Sequence, residues 1–179
     1  MPNHCSNYVN VTGPRGLVIQ FMAAGISKDG KEALSFQSLV PMPAELEGTN
    51  GMSDPNTPES RALIAKYGAA DWYAWHTQNW STKWDCYDVG KWNLPSGSGN
   101  KPITANLSYT TAWAPASEFW LKVSKQYPKL TFTHFFCEPG MAFVGFETFE
   151  KGVKLVETMY DWDSGPGKNL RAEFGFEED

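Results

Sequence analysis

The sequence predicts one α+β domain built as βαββαβ, with an antiparallel sheet, helices on one face, a loop-plus-helix insertion after the first helix and an extra C-terminal hairpin. Three observations predict it. Alternating apolar and polar residues at 5–12, 103–113 and 130–137 read as half-buried strands. Between them, apolar residues three and four apart, with a proline near each start, read as helices. A chain of 179 residues with 15% aromatic side chains fits one domain and fills a core without disulfide or metal.

In the first strand, Val9 and Val11 share one face, and Tyr8 and Asn10 the other. Gly13-Pro14 punctuates it, with Pro14 set to open a helix over 14–24. Leu17, Phe21 and Ala24 form that helix's inner face, and Gly25 stops it. The insertion runs over about 25–79. Its stretch Pro41–Pro58 is dense in Pro, Gly, Asn and Ser, which is loop chemistry. Thr57-Pro58-Glu59 then supplies an N-cap, a first-turn proline and a first-turn carboxylate. One stripe of Leu63, Tyr67, Ala70 and Ala74 follows, with Trp72 and Trp75 beside it.

The segments 82–92 and 103–113 alternate and flank the turn Pro95–Lys101, so they read as a hairpin. In its second strand Leu107, Tyr109, Thr111 and Trp113 share one face. Pro115 opens a helix with Phe119, Trp120, Val123 and Tyr127 inward, and Pro128 ends it. Strands over 130–137, 141–149 and 152–160 follow, with a turn at Glu138-Pro139-Gly140. The tail 161–179 reads as loop with a short edge strand at Arg171–Phe176. Without the insertion this order is the split arrangement called ferredoxin-like.

Composition narrows the function classes. The net charge is −5, and residues 150–179 hold eight acidic against four basic side chains. That balance disfavours phosphate-backbone binding and suits a basic protein surface. Cys5, Cys86 and Cys137 are odd in number and unevenly spaced, as in a reducing compartment. Neither a signal peptide nor a membrane span is visible, so the expectation is a cytoplasmic protein with no membrane partner.

Four short motifs carry a resemblance. Met1-Pro2-Asn3-His4-Cys5-Ser6-Asn7 resembles the MPNWCxN opening of phage- and plasmid-borne proteins with a YubB-type ferredoxin-like domain. Asn79-Trp80-Ser81-Thr82-Lys83-Trp84-Asp85 resembles their NWGTKWD, Thr111–Pro115 their TAWxPP, and Glu138–Met141 their EPGM. His4, Ser81 and Ala116 depart from that pattern, where the family has Trp, Gly and Pro. The resemblance implies a ferredoxin-like fold in a mobile-element protein of a bacterial host cell. It implies no assigned activity and carries over no catalytic residue.

The segment His76–Asp88 holds the most polar chemistry. His76, Lys83 and Asp85, with His134 elsewhere, are the candidate acid/base groups. Asn79, Trp80, Thr82, Lys83, Trp84 and Asp85 are the candidate binding residues, against the plainer reading of core aromatics with polar turn-formers. His4, Cys5, His76, Cys86, His134 and Cys137 lack the paired spacing of zinc ligands, so no metal or other cofactor is expected. Neither a G-x-S-x-G elbow nor a phosphate loop occurs. The glycines of 95–101 lie between strands, and Glu138 and Glu147 have no distance fixed by sequence. Val144–Phe149 shares the alternation of RNA-recognition sheets without their cation.

The expectation is a non-enzymatic binding module acting on a host or phage protein, with the 41–57 loop and the 76–88 segment as contact regions. The alternatives are a small hydrolase or nuclease-like enzyme and a single-stranded nucleic-acid binder.

Overall fold

The computed structural model describes residues 3–96, 101–173 and 175. Strands β1 (His4–Pro14), β2 (Pro102–Ala112), β3 (Thr131–Glu138), β4 (Phe143–Glu150) and β5 (Val153–Asp161) form an antiparallel sheet ordered β2-β1-β3-β4-β5. Alternation sets β1: Cys5, Asn7, Val9 and Val11 are buried on one face, while Tyr8, Asn10 and Thr12 on the other are half-buried. Val9 lies opposite Leu107 of β2 and His134 of β3, so the register gathers core-facing residues from three strands. Pro14 closes β1 and does not open the helix.

The predicted strand over 82–92 forms no ladder. Tyr87 and Asn93 make isolated bridges to Thr110 and Asn106 on the outer edge of β2. Asp88 between them takes a φ of +48°, and Asp85 directs its carboxylate onto backbone N–H groups, so the segment cannot stay extended. Set beside β2, residues 87–93 give the spatial order β3-β1-β2-(87–93). Each helical crossover then spans one intervening strand, which is the split ferredoxin-like pattern. β4 and β5 continue the sheet beyond β3.

Helix α1 (Arg15–Gly25) buries Val18, Phe21 and Gly25; Ala24, which spacing placed inside, is exposed. Four short elements fill the insertion: α2 (Phe36–Leu39), a 3₁₀ turn at Ala44–Leu46, α3 (Pro58–Tyr67) and α4 (Trp72–Trp80). Thr57 caps α3 by accepting the Ser60 N–H at 3.1 Å. The stripe from Leu63 to Ala74 is divided between two helices. Gly68 takes the left-handed C-cap at φ +77°, and Asp71 starts α4 afresh by accepting the Ala74 N–H at 2.8 Å.

Helix α5 (Ser117–Gln126) buries Phe119, Trp120 and Val123, as its spacing predicts. Phe36 from the insertion stacks on Phe119 at 4.0 Å, and Trp80 and Leu46 are buried in the same cluster as Phe21 and Phe132. The insertion is therefore part of the core.

The tail departs from expectation. Residues Gly165–Glu173 form helix α6, where a loop and an edge strand were expected. Ser164 starts it, its hydroxyl accepting the Gly167 N–H at 3.1 Å. Leu170 then packs on Cys137 and Val144, across the sheet from the main core. Helices thus cover both faces, not one. Phe174 and Phe176 lie outside the described residues, as do residues 97–100 of the predicted Pro95–Lys101 turn. Among the described residues no helix is long and apolar enough to cross a membrane.

Candidate functional site

At one end of β2 the chain leaves the strand through a sharp turn. Trp113, grouped by alternation on one face with Leu107, Tyr109 and Thr111, takes a φ of +72° and is 48% exposed. Its N–H donates to the Asn3 carbonyl at 3.0 Å, and the Thr111 hydroxyl donates to the Ala114 carbonyl at 2.7 Å, which holds the turn. Across from it, Met52 in the insertion loop also has positive φ, +67°, and is 86% exposed. For residues with a Cβ this backbone region costs about 1–2 kcal/mol each.

The two flank a pocket of about 420 Å³, also lined by Gly51, Trp72, Tyr73 and Lys83. Its walls come from four separated stretches, at 51–52, 72–73, 83 and 113, and local hydrogen bonds fix the first two against each other. The second Asp71 carboxylate oxygen accepts the Ser53 N–H at 2.7 Å, and the Trp72 N–H donates to the Thr49 hydroxyl at 3.1 Å. These tie the loop to the start of α4. Gly51 lies flat on the Trp72 indole; a Cβ there would come within 3.0 Å of Cζ2. The Lys83 ammonium sits 5.1 Å from the Trp84 ring centre.

The sequence-selected residues have divergent settings. Trp80 is buried, donates its indole N–H to the Val40 carbonyl at 2.9 Å and stacks on His76 at 4.0 Å. Asn79 donates to the Trp75 carbonyl and Thr82 to the Trp84 carbonyl. Asp85 accepts the N–H groups of Phe36 and Cys86 on one oxygen and the Ser35 hydroxyl and Gln37 N–H on the other. Both oxygens are thus committed to holding α2. His76 donates from Nδ1 to the Lys83 carbonyl at 2.9 Å, since a carbonyl only accepts. Burial lowers its pKa below the ordinary value. Lys83 alone among these residues lines the pocket.

His134 is sealed in the sheet under α5. Its Nε2 lies 2.9 Å from Asn7 Oδ1 and 3.0 Å from the Tyr109 hydroxyl, which accepts the Trp120 indole N–H at 2.7 Å. Its Nδ1 has no hydrogen-bond partner and faces Glu147 Oε2 at 3.7 Å. Burial pulls the imidazole pKa down. Burial would raise the Glu147 carboxyl, but His134, Lys154 and Ser117 together hold it at about 2. This network ties β1, β2, β3, β4, β5 and α5 together.

Burial pushes the Cys5 and Cys86 thiols up, away from thiolate chemistry near neutral pH. His4 pairs its Nδ1 with the Tyr87 hydroxyl at 2.8 Å. Among the described residues no group of three or more His, Cys, Asp or Glu side chains could hold a metal.

Residues 91–177 match the family model described as "Ferredoxin-like domain in Api92-like protein". That span carries β2, α5, β3 to β5, α6 and the Trp113 turn. A solved structure, protein api92 from Yersinia pseudotuberculosis, is similar over 93% of this chain and 100% of its own. The TM-score is 0.50 at 10% identity, a likeness that shows the fold. No curated protein matches the chain. Met52, Trp72, Tyr73 and Lys83 precede the matched span, so the pocket joins that span, through Trp113, to the residues before it. Sequence reasoning reached Met52 only as part of the 41–57 contact loop and passed over Trp72, Tyr73 and Trp113 as site residues. Trp113 had a usable signal, because the TAWAP motif sets it directly before a turn at a strand end.

Proposed function

We propose that this chain is a non-enzymatic binding module acting on a protein, with the pocket between Met52 and Trp113 as its recognition face. The observation that carries the reading is the pair of strained, exposed apolar side chains on either side of it. Two such residues cost about 2–4 kcal/mol together against a typical total stability of about 5–15 kcal/mol. Met52 returns little of that by burial and Trp113 only part, with about half of its surface left open, so selection for contact with another molecule accounts for them better than stability does.

Both contact regions read from the sequence, the 41–57 loop and the 76–88 segment, contribute walls. The motif resemblance supports a phage- or plasmid-borne protein working in the cytoplasm of a bacterial host, on a host or phage protein. The hydrolase or nuclease-like alternative finds little support in a committed Asp85 and a sealed His134. Single-strand binding would need cations along a groove, where this pocket has Lys83.

The test is capture from nuclease-treated bacterial lysate by the tagged wild type, Trp113→Ala and Met52→Ala. A stoichiometric protein held by the wild type and lost with both variants is expected. Equal capture by the variants would move the face elsewhere, and loss of capture with nuclease would favour nucleic acid. Turnover of a substrate by the purified chain would overturn the non-enzymatic reading.

A further inference from the structure

The pocket's lining is rich in donors and poor in acceptors. Trp72 and Trp113 bring indole N–H groups and Tyr73 a hydroxyl, and none of the three side chains has a hydrogen-bond partner among the described residues. Lys83 adds an ammonium that sits over Trp84 and pairs with no carboxylate among those residues. Among the described residues no Asp or Glu lines the pocket. The nearby carboxylates are turned inward: Asp71 accepts the N–H groups of Ala74 and Ser53, and Asp85 those of Phe36, Gln37 and Cys86. Asp54 and Glu59 line a separate hollow on the other side of the Met52 loop.

We infer that the pocket accepts an apolar side chain with a carboxylate beside it, presented by an acidic segment of the partner protein, and that Lys83 reads the charge. The inference rests on the pocket being the binding face. The ring walls and the Met52 thioether match an apolar body, and about 420 Å³ falls within the range of about 300–1,000 Å³ typical of ligand sites. The chain's net charge of −5 points the other way for long-range steering. At physiological ionic strength, however, charges beyond about 8 Å are screened, so the contact-range ammonium decides selectivity. This reverses the basic-partner expectation drawn from overall charge.

The source is an Asp or Glu next to an apolar residue of that segment, and a chain-terminal carboxylate is the rival that the probes separate from it. The test is a two-dimensional amide NMR titration at physiological ionic strength, reading the Trp72 and Trp113 indole N–H signals. Four probes are used: N-acetylphenylalanine, acetyl-Asp-Phe-amide, N-acetylphenylalaninamide and phenethylamine. At least one anionic probe is expected to bind roughly fivefold more tightly than the neutral amide, with the cation weakest. The better of the two anions names the source. Lys83→Met, which keeps the stem over Trp84, should erase that preference, and Lys83→Glu should reverse it.

Equal or tighter binding of the neutral or cationic probe overturns the inference, as does a preference that survives Lys83→Met. So does the absence of any indole shift with all four probes. The binding-face reading fails separately, if Trp113→Ala still captures the partner.

Discussion

Two sets of aromatic residues in this chain have opposite fates. Trp80 and Trp120 are buried, and each indole N–H finds an internal acceptor, the Val40 carbonyl and the Tyr109 hydroxyl. Trp72, Tyr73 and Trp113 line an open pocket, and their polar ends have no hydrogen-bond partner among the described residues. Composition does not separate the sets. Position in the fold does: Trp80 and Trp120 sit on the buried faces of α4 and α5, Trp72 and Tyr73 stand half-exposed in the first turn of α4, and a left-handed turn swings Trp113 off the end of β2. Burial of an amphipathic ring depends on an available acceptor, and a ring left outside on a strained backbone signals another use.

That contrast breaks first at the core. Trp120→Ala should destabilise the chain by about 3–5 kcal/mol in urea unfolding, because it empties a site contacted by Phe21, Phe119 and Phe132 and frees the Tyr109 hydroxyl. A loss under 1 kcal/mol would mean the core is looser than described.

Next comes Asp85→Ala, which leaves backbone donors of residues 36, 37 and 86 unpaired. A cost of about 2–3 kcal/mol is expected, with faster hydrogen exchange at residues 35–40. An unchanged exchange pattern would return Asp85 to the list of binding candidates.

The buried network gives a pH signature. The folded pKa of Glu147 is depressed from 4.5 to about 2, so its contribution is full above 4.5 and is lost as pH falls toward 2. His134 is also depressed, so its share is lost in a higher window, from its ordinary 6.5 downward. Urea midpoints should therefore fall in two stages on acidification. Glu147→Gln should flatten the lower stage and, by removing the carboxylate that draws the His134 pKa back up, deepen the upper one; an unaltered acid limb would remove Glu147 from the account.

Smaller effects are expected at Ser81, the position where the resembling family has Gly. Ser81 takes φ +64° as the C-cap of α4, and its hydroxyl accepts the Glu118 N–H at 3.1 Å, serving α5, whose own N-cap Ala116 offers no side-chain acceptor. Ser81→Gly relieves strain and loses the cap, so the net change in thermal stability should stay within about 1 kcal/mol. Ser81→Ala loses the cap without relief and should cost about 1 kcal/mol. Equal behaviour of the two variants would show that the left-handed backbone at Ser81 carries no strain.

The smallest stability effect is expected at Trp113. Trp113→Gly should leave stability unchanged or raise it by about 0.5–1 kcal/mol, since glycine accepts the left-handed turn freely. A large loss would show that Trp113 belongs with the core set after all.

What the sequence determined by itself is the part ruled by local pattern. Alternation located β1, β2 and β3, three-and-four spacing chose Phe119, Trp120 and Val123, and Thr57-Pro58 started α3. It did not locate the break at Gly68, the loss of strand over 82–92 or the formation of α6, because each turns on a polar group whose competing partner is set by the folded backbone. The candidate site was legible only in fragments: Lys83 and the two contact regions. Met52, Trp72, Tyr73 and Trp113 are separated in sequence and share no period, so only the closing of the insertion over the end of β2 makes them neighbours. Sequence patterns record which face of an element is apolar; they do not record which elements meet, and a pocket is a property of that meeting.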